Sequence, residues 1–371
     1  MKVLVAGDFC PQHRVTELFE KGSFSQVLGD VKETINSVDY SIVNFECPIT
    51  KGGEKPIEKI GPNLQSGESG MQAVKWAGFD CVTLANNHFL DYGEEGVKKT
   101  LETCKKYDID TVGGGLNLQE ASRILYKEIK GQTLAIVNCC EHEFSIATED
   151  TAGSNPLNPI QQYYAIQVAK KNADYVLVIV HGGHEMWQLP SPRMQETYRF
   201  FVDAGADAVV NHHQHCFSGY EIYHGKPIFY GIGNFCFDKD ATNSGIWTEG
   251  YVVVIDFSYE VPAFIIHPYL QCAQRPCIEM LETSSFDIKL TELNKIIADP
   301  AMLEDKLNKY YNISSGFQSS IFEPINNHYY LSAKSRGWLP SLISRSRKLK
   351  AQDYICCESH RDKLFYWFKK Y

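Results

Sequence analysis

Groups of polar side chains stand directly after short apolar segments at five places in the sequence. They are Asp8 after VLVAG, Asn44 and Glu46 in NFECP, Asn86, Asn87, His88 and Asp91 in ANNHFLD, His181, His184 and Glu185 in HGGHE, and His212, His213 and His215 in NHHQH. Carboxylates, amides and imidazoles bind divalent metals and move protons in catalysis. Bringing so many of them together costs desolvation and like-charge repulsion unless a cation compensates. The sequence therefore predicts a metal centre.

The ligand types narrow the choice of metal. Mixed carboxylate, amide and imidazole donors without well-placed thiolates favour Mn²⁺, Fe²⁺, Zn²⁺ or Co²⁺ over Ca²⁺ or an iron–sulfur cluster. Two such ions about 3.5–4 Å apart would activate water for in-line attack on a phosphoryl group. The spacing His213-x-His215 suits such a site in an extended segment, because alternate residues there point to the same side. Whether the site holds one ion or two remains open.

The segments that must position these residues alternate between short β-rich runs and amphipathic stretches, which is the α/β pattern. The predicted strands are 2–6, 40–44, 81–84, 134–138, 175–180 and 208–210, and the predicted helices are 94–106, 160–171 and 193–204. In open α/β sheets, ligands bind beyond the carboxyl ends of the strands. We therefore expect the polar groups to converge on one edge of one sheet.

The sequence changes its pattern after this region. Segments 220–223, 227–230 and 251–258 alternate like antiparallel strands, with His224-Gly225 as a tight turn. Residues 285–311 predict two helices separated near Asp299-Pro300. We expect mixed β-sheets flanked by helices over residues 1–275, followed by a helical, basic extension over residues 276–371.

The composition, 44% hydrophobic and 22% charged, is that of a globular protein and excludes disordered and coiled-coil classes. The net charge of −9 is unevenly distributed, because residues 331–371 hold ten Lys and Arg against three acidic residues. This tail could contact anionic lipid, an acidic glycan or a membrane-bound partner. We favour a basic helix packed on the acidic remainder of the chain. An acidic chain without a nucleic-acid-binding motif argues against nucleic-acid binding.

The sequence also bears on location. No apolar stretch reaches about 18 residues, and the apolar run at 3–6 is too short for an export signal. The twelve cysteines lack the spacing of a secreted disulfide framework. We expect a cytoplasmic protein with reduced thiols, with the inner face of the membrane as an alternative position.

Six ordered motifs resemble the bacterial capsule synthesis protein CapA (PgsA) family. They are GD at 7–8, NFECPIT at 44–50, ANNHFLDYG at 85–93, HGGHE at 181–185, HHQH at 212–215 followed by Glu221, and YGIGNFCFD at 230–238. The match spans roughly residues 1–260. The resemblance implies an α+β sandwich of the calcineurin-like metallophosphatase type and a role in poly-γ-glutamate or capsular polysaccharide production.

The resemblance also implies roles for individual residues. The implied metal ligands are Asp8, Glu46, Asn87, His181, His213 and His215. His88 takes the place of the superfamily's catalytic histidine, and Asp91 would orient its imidazole. The residues expected to contact the substrate or support the ligands are Asn44, Asn86, His184, Glu185, His212 and Asn234.

One departure from the family pattern bears on the number of ions. Metallophosphatases usually begin with Asp-x-His, whereas Cys10 stands at the second position after Asp8. Either one metal site lacks a ligand, or it recruits Cys10, His13 or Glu46 instead.

Two functions remain as expectations. The first is a metal-dependent hydrolase acting in biosynthesis of a capsule or other surface polymer, on a phosphoester of an anionic polymer or phosphorylated glycan intermediate, with a γ-glutamyl amide as the lesser alternative. The second is a non-catalytic, metal-containing subunit that binds an anionic polymer or a membrane-associated polymer synthase. A structural α/β protein with ordinary buried histidines is disfavoured by the clustering.

Overall fold

The computed structural model describes residues 1–59, 61–239, 245–259, 261–320 and 327–356, and the chain divides into two compact units, Met1–Pro300 and Ala301–Tyr371. The strands are β1 (Lys2–Phe9), β2 (Tyr40–Phe45), β3 (Cys81–Thr83), β4 (Asp110–Val112), β5 (Gly114–Gly115), β6 (Leu125–Ile129), β7 (Gln132–Cys140), β8 (Gly153–Ser154), β9 (Tyr175–His181), β10 (Ala208–His212), β11 (Tyr220–Tyr223), β12 (Lys226–Phe229), β13 (Asn234–Cys236), β14 (Glu249–Asp256), β15 (Ala263–Gln271) and β16 (Ile278–Met280). The α-helices are α1 (His13–Glu20), α2 (Phe24–Leu28), α3 (Lys32–Asn36), α4 (Glu68–Ala77), α5 (Gly93–Lys106), α6 (Leu118–Ala121), α7 (Pro159–Asn172), α8 (Pro192–Asp203), α9 (Thr283–Ala298), α10 (Pro300–Ser320), α11 (His328–Ser335) and α12 (Arg345–Cys356).

The first unit contains two mixed sheets. The first sheet has the order β16-β15-β14-β1-β2-β3-β4, in which β1 to β4 run parallel and β13 pairs with the end of β1. The second sheet has the order β11-β12-β10-β9-β7-β6, with a parallel centre and antiparallel edge strands. The predicted mixed sheets flanked by helices are confirmed. The expectation of a single sheet carrying all the polar groups is wrong, because β7, β9 and β10 pair with one another and not with β1 to β3.

The two sheets pack face to face through alternate residues of their strands. The first sheet contributes Val3, Val5, Tyr40, Ile42, Tyr251, Val253 and Ile255, and the second contributes Leu134, Ile136, Leu177, Ile179, Ala208 and Val210. Since side chains alternate along a strand, the intervening residues of the first sheet face a second core formed with α1 to α5. Helices α7 and α8 pack on the second sheet. The result is a four-layer sandwich.

The boundaries of the predicted strands and of the helices predicted at 94–106, 160–171 and 193–204 match the structure to within three residues, whereas the second helix predicted within 285–311 extends to Ser320. His224 and Gly225 have φ values of 48° and 76° between β11 and β12, as a type I′ hairpin turn requires. Helix α9 ends at Ala298 and α10 begins at Pro300, where the missing N–H of proline costs the helix nothing.

The predicted C-terminal extension begins with the strand β16, and its other described elements are the helices α9 to α12. The second unit contains α11, α12 and most of α10. Four of the ten basic residues and five of the aromatic residues of the predicted tail lie in 357–371, outside the described residues. The division into 1–275 and 276–371 stays a prediction. Within the described ranges, no helix combines the length and hydropathy needed to cross a membrane.

Gly7 allows the end of β1 to approach the chain that leads into β13. A Cβ atom at this position would lie 1.9 Å from the carbonyl oxygen of Gly233, to which the Asp8 N–H donates a hydrogen bond of 3.3 Å. The glycine of the GD motif is therefore required by close backbone contact.

We expect Gly7→Ala to destabilise the protein by about 1–3 kcal/mol, because the new methyl group forces the two backbone segments apart. Asp8 should move with β1, so metal affinity should fall as well. Thermal unfolding and metal titration measure the two effects. Gly67→Ala is the matched control, since a Cβ there meets no atom closer than 3.6 Å. Wild-type behaviour of Gly7→Ala would contradict the interpretation.

Candidate metal centre

Six side chains predicted as metal ligands lie together where the two sheets meet. The first sheet and the turns after it contribute Asp8, Glu46 and Asn87, and the second contributes His181, His213 and His215. Each of the six residues is at most 6% exposed. The strand register places the ends of neighbouring strands side by side. Asp8 pairs with Asn44 in the first sheet, and His212 pairs with His181 in the second.

One possible ligand set consists of Glu46, His181 and His213, whose donor atoms all lie within 4.8 Å of one another. Nε2 of His181 is 3.1 Å from Nδ1 of His213 and 3.5 Å from Oε1 of Glu46. The same nitrogen is 3.0 Å from Oδ1 of Asn87. One N–H can serve only one of these acceptors well, so the convergence of electron-pair donors favours a bound cation.

A second possible set consists of Asp8, Glu46 and His215, again within 4.8 Å. Nδ1 of His215 is 3.5 Å from Asp8 Oδ2, and Nε2 of His215 is 3.7 Å from Glu46 Oε1. Glu46 belongs to both sets, so two ions would share its carboxylate. Among the described residues, Cys10 and His13 contribute to neither set. Burial raises the pKa of the Cys10 thiol, which contacts Cys47.

Glu46 provides the test of whether these residues fit a metal. Both of its carboxylate oxygens are buried and find no hydrogen-bond partner among the residues that the structure describes. Burial raises the pKa of Glu46 well above its ordinary value, and the charges of Asp8 and Glu185 raise it further. A buried carboxylate beside a second carboxylate is costly unless a cation lies between them. The donors therefore fit a divalent metal.

The histidines differ in their readiness to act as ligands. Burial lowers the pKa of both His181 and His213, so these imidazoles are neutral and keep a free electron pair at neutral pH. Burial also acts to lower the pKa of His215, but the hydrogen bond and charge of Asp8, together with Glu185 and Asn234, outweigh burial and raise it. Burial acts to raise the pKa of Asp8, yet the His215 hydrogen bond and the neighbouring imidazoles hold it below the ordinary range.

Two asparagines hold the ligands in place. Asn44 Nδ2 donates to Asp8 Oδ1 at 2.7 Å and lies 3.3 Å from Nδ1 of His181. Nδ1 of His215 lies 2.9 Å from Oδ1 of Asn234, which can only accept, so the proton is on Nδ1 and Nε2 is left to face Glu46. Asn234 is itself fixed by donating to the His215 carbonyl at 3.1 Å.

His88 lies beside this cluster with its imidazole held on one side. Its Nδ1 is 2.6 Å from Oδ2 of the fully buried Asp91, and since a carboxylate only accepts, the contact assigns the proton to Nδ1. The backbone N–H of His88 donates to Asn86 Oδ1 at 3.1 Å, and Asn86 Nδ2 donates to the Phe45 carbonyl at 3.0 Å. Asp91 and Asn86 therefore fix the ring and the backbone of His88.

The remaining predicted residues lie around the cluster. Both nitrogens of His212 are buried without a hydrogen bond, and Nδ1 is 3.5 Å from Asp8 Oδ1. His184 is half-buried, which lowers its pKa, and it belongs to neither ligand set. Glu185 is exposed and lines a cavity of about 360 Å³ together with His88 and His215.

Two charged residues at the centre were not predicted from the sequence. The side chain of Lys59 is 3% exposed, forms an ion pair with Asp91, and places Nζ 3.1 Å from His88 Nδ1. Glu143 accepts a hydrogen bond of 3.1 Å from Asn87 Nδ2. Both residues come from loops, and no local pattern distinguishes them from solvated charges. Only the tertiary fold identifies them.

The extended conformation predicted for His213 to His215 is wrong. The strand β10 ends at His212, and His213 and His215 have φ values of 86° and 53°. Two sharp left-handed turns, and not strand alternation, bring these imidazoles into the cluster. Non-glycine residues in this conformation are uncommon and concentrate at functional sites.

The model of the bacterial capsule synthesis protein PGA_cap family matches residues 2–239. The chain is 34% identical over 252 residues to the capsule biosynthesis protein CapA of Bacillus anthracis, covering 66% of this chain and 61% of that protein. It is 33% identical over 243 residues to the PGA biosynthesis protein CapA of Bacillus subtilis, covering 64% and 63%. The matched region thus spans less than two thirds of these relatives.

Among solved structures, the chain is similar to one described as a novel phosphatase from Mycoplasma pneumoniae. The sequence identity is 14%, the TM-score is 0.45, and the alignment covers 72% of this chain and 93% of that one.

We expect Glu46→Gln to abolish metal binding and to stabilise the metal-free protein. Because the folded-state pKa of Glu46 is raised, the metal-free wild type should lose stability as pH rises from the ordinary value of 4.5. Replacing the buried charge by an amide removes this loss, which we expect to be about 1–3 kcal/mol at pH 8.

Chemical denaturation of chelator-treated protein between pH 5 and pH 8 measures this difference. The matched control is Glu196→Gln, which removes the same charge from an exposed position on α8. Equal destabilisation of Glu46→Gln at every pH would show that the carboxylate serves the fold and not a metal.

Proposed function

The chain belongs to the bacterial capsule synthesis protein family, and from this premise we propose that it is a metal-dependent hydrolase acting on a phosphoester in biosynthesis of a capsule, poly-γ-glutamate or another surface polymer. The observation that carries the proposal is the buried Glu46 carboxylate, which has no hydrogen-bond partner in the described part of the chain and belongs to two possible ligand sets. Without a cation, the charge of this buried carboxylate would only destabilise the fold.

The residues that would hold the metal are Asp8, Glu46, Asn87, His181, His213 and His215. A bound divalent ion of Mn, Fe, Zn or Co supplies Lewis-acid activation of water and of a phosphoryl oxygen. Glu46 belongs to both possible ligand sets, and the neutral His181 and His213 would need to lose no proton to bind an ion. The presence of two ions and their identity as Mn, Fe, Zn or Co are parts of the proposal.

His88 is proposed as the general acid. Asp91 holds its Nδ1, so Nε2 is the nitrogen that would pass a proton to the leaving group. The ring lines the cavity of about 360 Å³ that also contains His215 and Glu185. Lys59 forms an ion pair with Asp91 in this buried position, and so compensates the charge of a carboxylate.

The proposed substrate is an anionic polymer or a phosphorylated glycan intermediate. Lys239 lies in the cavity wall, with its ammonium 3.2 Å from the centroid of the Trp247 ring. Its positive charge would attract an anionic group of the substrate near His88. A cytoplasmic location, and contact with a membrane-associated synthase through the basic tail, are the further parts of this proposal.

The alternative is a non-catalytic metal-containing subunit that binds an anionic polymer or its synthase. The observation that favours it is the place of Cys10, whose thiol lies against Cys47 and outside the set of Asp8, Glu46 and His215. Without a ligand from this position, the site has three protein donors in that set and would hold its ion less firmly than a site with four.

Elemental analysis of the purified protein tests metal binding first. We expect two transition-metal ions per chain, both lost in a His213→Ala, His215→Ala double variant, because each substitution removes a donor from one set. His224→Ala, at an exposed turn, is the control and should retain both ions. A wild-type protein without transition metal would defeat the hydrolase proposal.

Hydrolysis of bis(p-nitrophenyl) phosphate by the metal-loaded protein tests catalysis. We expect His88→Ala to lower kcat about 10²- to 10⁴-fold with unchanged metal content, because the general acid is lost while the proposed ligands remain. The same His224→Ala control should retain full activity. If the metal-loaded wild type hydrolyses no phosphoester and His88→Ala leaves polymer production unchanged, the non-catalytic alternative replaces the hydrolase.

A further inference from the structure

Glu143 stands outside both possible ligand sets, yet its carboxylate contacts two of the proposed ligands at once. Oε2 accepts a hydrogen bond of 3.1 Å from Nδ2 of Asn87, and Oε1 lies 3.6 Å from Nε2 of His213. The carboxylate is 40% exposed, whereas the two residues that it contacts are almost fully buried. Glu143 therefore reaches into the centre from the surface.

The contact with Asn87 decides which end of its amide faces the cluster. Oδ1 of Asn87 points toward Nε2 of His181 at 3.0 Å, and the opposite Nδ2 donates to Glu143. Rotation of the amide by half a turn would place an N–H group where a cation needs an oxygen donor. A carboxylate at Nδ2 opposes that rotation, because it accepts hydrogen bonds and cannot donate one.

The contact with His213 decides which ring nitrogen is free. Nδ1 of His213 faces His181 inside the ligand set, and Nε2 faces Glu143 outside it. Binding of a cation by Nδ1 requires the ring proton to lie on Nε2, where the carboxylate attracts it. A carboxylate on the outer nitrogen of a ligating histidine fixes its tautomer and raises its affinity for the metal.

The loop that carries Glu143 is anchored to the same asparagine. Ser145 Oγ donates to the backbone carbonyl of Asn87 at 2.7 Å and accepts from the Leu90 N–H at 3.2 Å. The loop therefore holds both the backbone and the side chain of Asn87. This anchoring sets the position of Glu143 without help from a bound ion.

We propose that Glu143 is a positioning residue of the metal centre, which orients the amide of Asn87 and selects the tautomer of His213 for the ion that Glu46, His181 and His213 would bind. The inference rests on the proposed function, because it requires a metal at this place. It assigns a role to loop 141–147 in metal retention. Glu143 is not itself a ligand in this proposal.

The test is titration of the full, chelator-treated chain with Zn²⁺ alone, in competition with a chromophoric chelator. The ion to follow is the one that His213→Ala removes. We expect Glu143→Ala to weaken its binding about 10- to 100-fold, the usual effect of losing such a partner, and to leave a second ion unaffected. Glu143→Gln should give a smaller loss, because its carbonyl oxygen can accept from only one of the two partners.

The matched control is Glu149→Gln, which removes the same charge from an exposed position farther along the loop. Wild-type affinity in this control with a loss in Glu143→Ala supports local positioning. Equal losses in both variants would show a long-range charge effect and overturn the proposal. Unchanged affinity in Glu143→Ala would overturn it as well.

Two further readouts separate the possible failures. The melting temperature of metal-free Glu143→Ala should equal that of the wild type, since the side chain contributes to no core, and a large drop would show a purely structural role. The visible spectrum of the Co²⁺-loaded protein reports the coordination number of the ion, which should be the same in Glu143→Ala as in the wild type. A lower coordination number in the variant would show that Glu143 is itself a ligand. A wild type that binds no ion defeats the proposed function itself, whereas wild-type binding that survives Glu143→Ala defeats only this inference.

Discussion

The structure of the centre depends on a carboxylate that the protein buries and leaves without a hydrogen bond. Glu46 lies between His181 and His215, with Asp8 near enough to raise its pKa further. Neither a hydrogen bond nor a fixed positive side chain compensates the charge among the described residues. Because an uncompensated charge in the interior is expensive, the surrounding donors are best understood as a shell built for a cation.

This shell exists only when both sheets are in register and packed together. Asp8 and Glu46 come from the first sheet, and His181 and His213 come from the second. A slip of one residue in β1 would turn Asp8 to the opposite face, since side chains alternate along a strand. The apolar core between the sheets therefore positions the proposed metal ligands as well as stabilising the fold. Gly7 serves the same end, because it lets β1 lie against the chain at Gly233.

The central strands of both sheets, the main helices and the residue types of the centre could be predicted from the sequence, because each depends on local patterns. Apolar runs followed by polar groups predict strand ends, and the ligand chemistry follows from the side chains. The division into two sheets could not be predicted, since a parallel strand has the same pattern in either sheet. Lys59 and Glu143 were beyond prediction for a related reason: their roles arise from loops that fold back on distant turns.

The backbone at the second sheet gives an independent argument that the centre is functional. His213 and His215 both adopt left-handed conformations, which cost of order 1–3 kcal/mol each for non-glycine residues. Glycine at either position would remove that cost, so a segment with only a structural role would be more stable with glycine there. The chain keeps imidazoles there, beside an unpaired carboxylate that is also destabilising. The backbone conformation and the buried carboxylate each destabilise the fold for a different physical reason. Their occurrence at one place is explained if these side chains serve a function and not stability.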